Sequence, residues 1–182
     1  MTISPDLRLA VRTRASFACE YCGVSEADTG GELTIDHHRP RSHHGSNEPG
    51  NLLYCCHNCN TFKADYWPMP GEPSLWNPRE SSFSDHFLLL ADGTLHPRTE
   101  QGSFTLRRMR LNRPPLVAYR LRRTTQSERE RLLERYRELV TVLDQLKTQQ
   151  AILLREQGEL LRLQRELLQL LLPDEDEPAS SS

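Results

Sequence analysis

Two Cys-x-x-Cys pairs constrain this chain more than any other feature of its sequence. Cys19 and Cys22 form the first pair, and Cys56 and Cys59 form the second. Thiolates in two such pairs make up the ligand set of a tetrahedral zinc site in which protein fills all four positions. We therefore predict a structural Zn²⁺ on these four cysteines. Such a zinc would hold the polar segment between the pairs in place. The alternative is a set of free, buried cysteines.

The remaining cysteine usage favours a metal over a disulfide framework. Cys55 is the only one of the five cysteines outside the pairs, and it continues an apolar stretch, so we predict that it belongs to the core. Free thiols of this kind are typical of a reducing compartment. The sequence has no signal-peptide-like start and no apolar run long enough to span a membrane. We expect a cytoplasmic protein without a membrane partner.

Charge is segregated along the chain, although the formal net charge is only −2. Residues 103–125 contain seven arginines and no acidic residue, whereas 174–177 form an Asp-Glu-Asp-Glu run. A concentrated basic stretch indicates a polyanionic partner. The alternative is a connector whose arginines pair with the acidic tail or the Glu-rich helix. Four of the arginines are predicted to contact nucleic acid: Arg107, Arg108, Arg110 and Arg113.

The pattern of the sequence predicts four segments. They are a compact domain around the cysteine pairs (1–82), a hairpin with an arginine-rich connector (83–123), a long helix (124–172) and a disordered acidic tail (173–182). In the second segment, Asp92-Gly93 between short apolar runs predicts a β-hairpin. Pro114-Pro115 is expected to interrupt any helix there.

The long segment from about Gln126 to Leu172 contains no proline and repeats leucine at every seventh residue. A sustained heptad predicts a coiled coil, but three glutamines in the adjacent seam argue against a simple tight two-stranded zipper. Gly158 is a weak point of such a helix, and a break near 148–150 would instead fold the segment into an antiparallel hairpin. We expect residues 126–172 to assemble a homo-oligomer, as a parallel or antiparallel dimer. Docking on a different protein is the alternative.

Side chains suited to metal-dependent hydrolysis lie between and beside the cysteine pairs. Asp36 and His37 follow a strand candidate at 32–35, and Asn60 follows the second pair at the start of a predicted helix, 60–65. Phosphodiester hydrolysis needs a base to deprotonate water and a cation to take up negative charge. Histidine suits the first task because its pKa is near neutrality, and carboxylate and amide oxygens suit Mg²⁺ or Mn²⁺.

These residues, in this order, resemble the HNH endonuclease family. The likeness covers roughly residues 8–65 and continues more loosely, through 75–114, as in small stand-alone bacterial HNH proteins. It implies a ββα-metal finger. With the zinc and the long helix argued above, the predicted fold is α+β, in which this finger with its structural four-cysteine zinc is followed by a long α-helical, coiled-coil extension. The matching elements are Cys19-x-x-Cys22, Ile35-Asp36-His37-x-x-Pro40-Arg41-Ser42, Gly45, Asn51-Leu52, Cys56-x-x-Cys59-Asn60 and Lys63.

The resemblance also implies roles for individual residues. His37 would be the general base, and Asp36 and Asn60 would bind the catalytic Mg²⁺ or Mn²⁺. Asn51 would brace the loop by hydrogen bonds. Asn60 stands where the family often has histidine, a departure that HNN-type variants share. His38 adjoins the base, but adjacent strand residues face opposite sides, and the family register selects His37.

Arg41 and Lys63 are predicted phosphate contacts, with solvated surface positions as the alternative. The resulting prediction is an HNH endonuclease, a hydrolase of phosphodiester bonds that acts on DNA, with RNA left open. Its biological setting is left open between phage defence, a mobile element and restriction. The alternative function is a catalytically silent nucleic-acid-binding or scaffold subunit, tethered to a larger complex by its C-terminal helix.

Overall fold

A computed structural model describes residues 3–171 and divides the chain into two compact units between Thr125 and Gln126. The predicted acidic tail, 173–182, lies outside the described residues. The first unit is a mixed α+β structure with two small antiparallel sheets. Its elements are α1 (Pro5–Arg14), α2 (Glu26–Thr29), β1 (Thr34–His37), β2 (Leu52–Cys55), α3 (His57–Lys63), α4 (Phe83–His86), β3 (Phe87–Leu89), β4 (Leu95–Pro97) and α5 (Glu100–Arg108).

The first sheet and α3 form a ββα unit. β1 pairs antiparallel with β2, from Thr34 opposite Cys55 to His37 opposite Leu52. All residues of β2 are buried, so this strand is covered on both faces. The helix predicted at 60–65 begins earlier, at His57, because Cys56 takes the extended conformation of an N-cap (φ −70°, ψ 154°).

Helix α1 delivers the chain to the first cysteine pair. Oγ of Ser4 accepts a hydrogen bond from the backbone N–H of Leu7, and Pro5 occupies the first turn, where its missing N–H is not needed. At the other end of α1, the Arg14 guanidinium donates to the carbonyl oxygen of Pro49 at 2.7 Å. Helix α1 is thereby tied to the segment that precedes β2.

The predicted second hairpin is confirmed. β3 pairs with β4, and the turn carries Asp92-Gly93, where Gly93 adopts a positive φ of 78°. Residues 66–82 contain no helix or strand, yet they contribute Leu75 and Trp76 to the core. The largest fully buried side chains of this core include Val11, Tyr21, Leu52, Leu53, Tyr54, Met109 and Leu111.

The last helix, α6 (Pro114–Leu171), corrects one prediction and settles another. Pro114 and Pro115 begin this helix instead of interrupting it, because the first turn needs no intrahelical N–H donor. Helix α6 is continuous through Gly158 and 148–150, so the hairpin alternative is wrong. Within residues 3–171, no helix combines the length and apolar character needed to cross a membrane.

Candidate functional site

The four paired cysteines converge at one point of the first unit. Their sulfur atoms all lie within 4.8 Å of one another, and Sγ of Cys22 is 3.7 Å from Sγ of Cys56. Zinc–sulfur bonds of about 2.3 Å put the sulfurs of a tetrahedral site about 3.8 Å apart. The donor set and its spacing therefore fit a structural zinc, as predicted. Cys55 is buried in β2 and is not part of this set.

Local backbone structure brings the two pairs together. The first pair lies in a turn in which the N–H of Gly23 donates to the Cys19 carbonyl at 2.8 Å. In the second pair, Cys56 caps α3 and Cys59 lies in its first turn. Hydrogen bonds from neighbouring thiols, first that of Cys22, hold the pKa of Cys19 well below its ordinary value. Hydrogen bonds with Cys19 raise the pKa of Cys22 and Cys59 in turn, so the cluster favours a thiolate at Cys19, the form that binds metal.

Arg113, predicted from the sequence as a nucleic-acid contact, lies beside this cluster. Its Nη2 donates to Sγ of Cys59 at 3.9 Å, and its Cζ is 5.4 Å from the centre of the Phe62 ring. Four thiolates around one Zn²⁺ carry a net negative charge, which a neighbouring guanidinium compensates. Arg110 approaches the same ring at 4.8 Å and is exposed.

We expect Arg113→Ala to release zinc at least about tenfold faster to a chromogenic chelator, because partners of metal ligands contribute strongly to metal affinity. Arg110→Ala is the matched control, since it removes the other arginine on Phe62 and should leave the zinc release rate unchanged. Equal release from both variants would assign Arg113 no role in retaining zinc.

Asp36 and Lys63 form an ion pair between β1 and α3. Nζ of Lys63 lies 3.1 Å from Oδ2 of Asp36, and the lysine side chain is fully buried. This contact is a charge interaction, since within residues 3–171 the buried Oδ2 of Asp36 accepts no hydrogen bond of good geometry. Burial raises the pKa of Asp36 above its ordinary value, and the charge of Lys63 opposes that rise. The structure therefore places Lys63 inside the site, beside the carboxylate.

Asn60 lies one turn before Lys63 on α3 and is half-buried. Residues three apart on a helix share a face, so Asn60 lies on the side of α3 that meets Asp36. The end of β1 and helix α3 therefore meet at the Asp36–Lys63 ion pair, with Asn60 on the same face of α3 as Lys63.

His37 and His38 face different neighbours. Nε2 of His37 donates to Oδ1 of Asn47 at 2.8 Å, a tautomer that leaves Nδ1 free to accept a proton. Nδ1 of His38 and the hydroxyl of the buried Tyr21 are 3.2 Å apart, and Trp67 packs edge-on against the imidazole. Burial, with the charge of Lys63, lowers the pKa of His38 to about 4.

Asn51 closes the loop between β1 and β2. Its Oδ1 accepts from the N–H of Arg39 at 2.8 Å, and its Nδ2 donates to the carbonyls of Arg39 and Ser46. Gly45 is required in the same loop, because a Cβ there would come within 1.8 Å of the Arg39 carbonyl oxygen. These contacts fix the loop that carries Asn47.

The basic residues predicted to bind nucleic acid differ in their exposure to solvent. Arg41 is exposed at the start of a 3-10 turn, Arg41–His43, and Arg107 is exposed on α5. Arg108 stacks on Tyr66, 4.2 Å from the ring centre, and donates to the carbonyl of Lys63. Arg41 and Arg107, with Arg110, are therefore the members of the predicted set that solvent reaches most freely.

A converging cysteine cluster, an antiparallel hairpin and a short helix together define a ββα domain built around four sulfurs. Residues 19–65 match the family model described as HNH endonuclease, so this segment is an HNH domain and indicates nuclease activity in general. The predicted resemblance is confirmed over that range. Searches of curated proteins and of solved structures return no match.

Several contacts of the site are not visible in the sequence. Asn47 and Tyr21 bind the two histidines, yet neither belongs to a recognisable spacing. The buried position of Lys63 also depends on a contact between residues 27 positions apart (63 minus 36). By contrast, Asn60 and Lys63 are three residues apart on one helix, and this local spacing indicates that they share a face.

We expect Lys63→Met to destabilise the protein by about 3–5 kcal/mol near neutral pH, because it leaves the Asp36 carboxylate buried without its cation. The pKa of Asp36 would rise further. A raised carboxyl pKa makes stability greatest at low pH, so the deficit should shrink between about pH 7.5 and about pH 5. Urea denaturation with excess zinc measures it.

The double variant Asp36→Asn, Lys63→Met serves as the control, since it removes the uncompensated charge as well. It should recover part of the lost stability near neutral pH. A deficit in Lys63→Met that is independent of pH would show that packing of the lysine stem, not the ion pair, is responsible.

Proposed function

We propose that this protein is a metal-dependent endonuclease that hydrolyses phosphodiester bonds of DNA. The observation that carries the proposal is the Asp36 carboxylate, which is half-buried between β1 and α3 inside the HNH domain, with its Oδ2 buried. A carboxylate in that position and the Asn60 amide, which lies on the same face of α3 as Lys63, form a donor set that hard divalent cations prefer.

Asp36 and Asn60 would hold the catalytic Mg²⁺ or Mn²⁺. The buried Oδ2 of Asp36 supports this assignment, because within residues 3–171 it contacts the charge of Lys63 but accepts no hydrogen bond of good geometry. A divalent ion bound there would supply positive charge for the phosphate and the leaving oxygen. Lys63 is the cation that the structure records beside Asp36, so it would hold the carboxylate ionised and in place.

His37 would act as the general base. Its Nδ1 accepts a proton from water, while its Nε2–H keeps the ring oriented on Asn47. The water oxygen then bonds to phosphorus as the bond to the 3′-oxygen breaks. The leaving 3′-oxygen takes a proton from solvent, so the products carry a 5′-phosphate and a 3′-hydroxyl. Asn51 supports this arrangement by fixing the loop from which Asn47 projects.

Arginines would position the nucleic acid by its phosphates. The exposed Arg41, Arg107 and Arg110 are suited to this contact, and binding through them should weaken as salt is raised. No element for reading bases is recognisable in the chain. Phage defence and mobile-element cleavage are two settings in which such an enzyme would act.

We also propose that the second unit assembles copies of the chain. One HNH site cuts one strand, whereas two sites in an oligomer could cut both strands of a duplex. The exposed leucines of α6 supply an apolar surface for this assembly. A different protein docked on the same surface is the competing arrangement.

The direct test is cleavage of supercoiled plasmid by the zinc-loaded full chain in Mg²⁺ or Mn²⁺, at enzyme concentrations above that of plasmid. We expect nicked or linear products, loss of activity in EDTA, and at least about a hundredfold loss in Asp36→Asn. An intact plasmid under all these conditions would favour the silent scaffold function. Equal cutting by Asp36→Asn would remove Asp36 from the mechanism.

A further inference from the structure

The part of α6 that belongs to the second unit has two chemically distinct sides. On one side, charged residues pair with each other within the helix. These pairs are Glu134–Arg137, Arg155–Glu159 and Arg162–Glu166, with atoms 3.2–3.4 Å apart. No member of these pairs is a heptad leucine or lies four residues after one. The charged groups therefore form ion pairs away from the apolar side of the helix.

The other side carries a leucine column, defined as Leu132, Leu139, Leu146, Leu153, Leu160 and Leu167. Each of these leucines is more than half exposed. A helix of this length with such a stripe gains stability mainly by covering it against a partner.

A second seam lies four residues after each leucine, on the same side of the helix. We call it the glutamine seam, and its members are Tyr136, Leu143, Gln150, Gln157, Gln164 and Leu171. Together with the leucine column it forms the two core positions of a heptad repeat. Three consecutive heptads therefore place an amide at a position where a coiled coil buries its side chains.

We propose that two copies of this chain pair through α6 in parallel and in register, with the glutamine seams facing each other. The inference deepens the self-association proposed above and rests on it. In a parallel coiled coil, the same heptad position of both helices meets in one layer, so each glutamine would face its own counterpart. Each amide can then donate to and accept from the other across the interface.

Antiparallel pairing would not satisfy the amides. It places each seam residue against the leucine column of the other helix, so Gln150, Gln157 and Gln164 would each face leucine. A buried amide without a partner is costly, which disfavours this orientation. The three glutamine layers make this pair weaker than the simple tight zipper against which the sequence argues, but they favour the parallel arrangement over the antiparallel one.

The glutamine seam also fixes the register. With no offset, leucine meets leucine at 143 and 171, and glutamine meets glutamine at the three layers between them. An offset of one heptad would place Gln150 against Leu143 and Gln164 against Leu171. A foreign helix would have to repeat amides at the same three positions, whereas a second copy does so by identity. The single polar position that sets register in other coiled coils is here repeated three times.

The test uses charge-swapped variants of the full chain at the central layer. Gln157→Glu and Gln157→Lys each place like charges in contact in the parallel pair, so each alone should dissociate at least about tenfold more readily. An equimolar mixture should recover association as a mixed pair, because the opposite charges then meet. Sedimentation equilibrium over micromolar concentrations measures both effects.

Thr148→Glu and Thr148→Lys are the matched controls. Thr148 lies on the charged side, where its hydroxyl donates to the Asp144 carbonyl, so neither variant should alter association. If the Gln157 mixture associates no better than either variant alone, the parallel register is wrong while self-association stands. If the unmodified chain is a monomer, both are wrong. Plasmid cleavage is not the readout, so the nuclease proposal stands or fails separately.

Discussion

Replacing Cys56 with serine is expected to release zinc and unfold the ββα unit. Cys56 is one of the four converging sulfurs and also the residue from which α3 starts. Structural zinc contributes about 10–16 kcal/mol of binding free energy, much of which is folding free energy in a small domain. A serine hydroxyl does not ionise near neutral pH and is a poor replacement for a thiolate. The loss should therefore exceed that of any other single substitution discussed.

Two measurements on the same preparation check this result. Mass-spectrometric metal analysis should give one zinc per wild-type chain and a much lower content in Cys56→Ser. Thermal denaturation followed by near-ultraviolet circular dichroism should show the loss of tertiary structure around the core. Because α6 carries much of the helical signal, far-ultraviolet ellipticity should fall less.

Cys55→Ala provides the matched control at the neighbouring position. Cys55 is buried in β2 and lies outside the four-sulfur set, so the variant should keep its zinc. It should lose only about 1–2 kcal/mol of stability, as expected for a small cavity in the core. Zinc loss in Cys55→Ala, together with zinc retention in Cys56→Ser, would overturn the ligand assignment.

Local patterns in the sequence were sufficient for the features that depend on local spacing. The cysteine pairs predicted the four-sulfur cluster because a two-residue spacing brings the thiols of each pair together and two such pairs make a complete zinc ligand set. Asp92-Gly93 predicted the second hairpin because its turn has few alternatives. The leucine heptad and the absence of proline from Gln126 to Leu172 predicted the long helix.

Partners chosen by long-range packing could not be read from the sequence. Lys63 and Arg113 have the residue types of phosphate contacts, but the fold directs one to Asp36 and the other to Cys59. Arg120, within the same basic stretch, is buried and donates to the carbonyls of Gly93 and Leu111. Composition reports how many arginines a stretch has, whereas only the fold determines which of them solvent reaches.

Replacing His37 with alanine is expected to reduce the cleavage rate by about 10²–10⁴-fold, the range that a general base contributes. The fold should remain intact, because His37 lies at the end of β1 and its side chain hydrogen-bonds to Asn47 in the loop, outside the core. Zinc content and thermal denaturation should match those of the unmodified chain. The rate should be measured on plasmid under single-turnover conditions, so that product release does not mask the chemical step.

His38→Ala is the matched control, because it removes the adjacent imidazole. His38 binds Tyr21 and packs on Trp67, and its pKa of about 4 makes it a weaker base than a histidine of ordinary pKa. This variant should lose stability by cavity formation while retaining a cleavage rate within about tenfold of wild type.

Added imidazole separates a lost base from a disturbed site. If His37 supplies only a proton acceptor, imidazole in solution should restore part of the activity of His37→Ala, in proportion to its unprotonated fraction. It should not restore Asp36→Asn, in which the missing group is a charged oxygen ligand. If His38→Ala is inactive and His37→Ala remains active, the general base would be His38, on the face shared with Lys63. Water would then have to be activated from the buried side of β1, and the hydrogen bond between His37 and Asn47 would be structural.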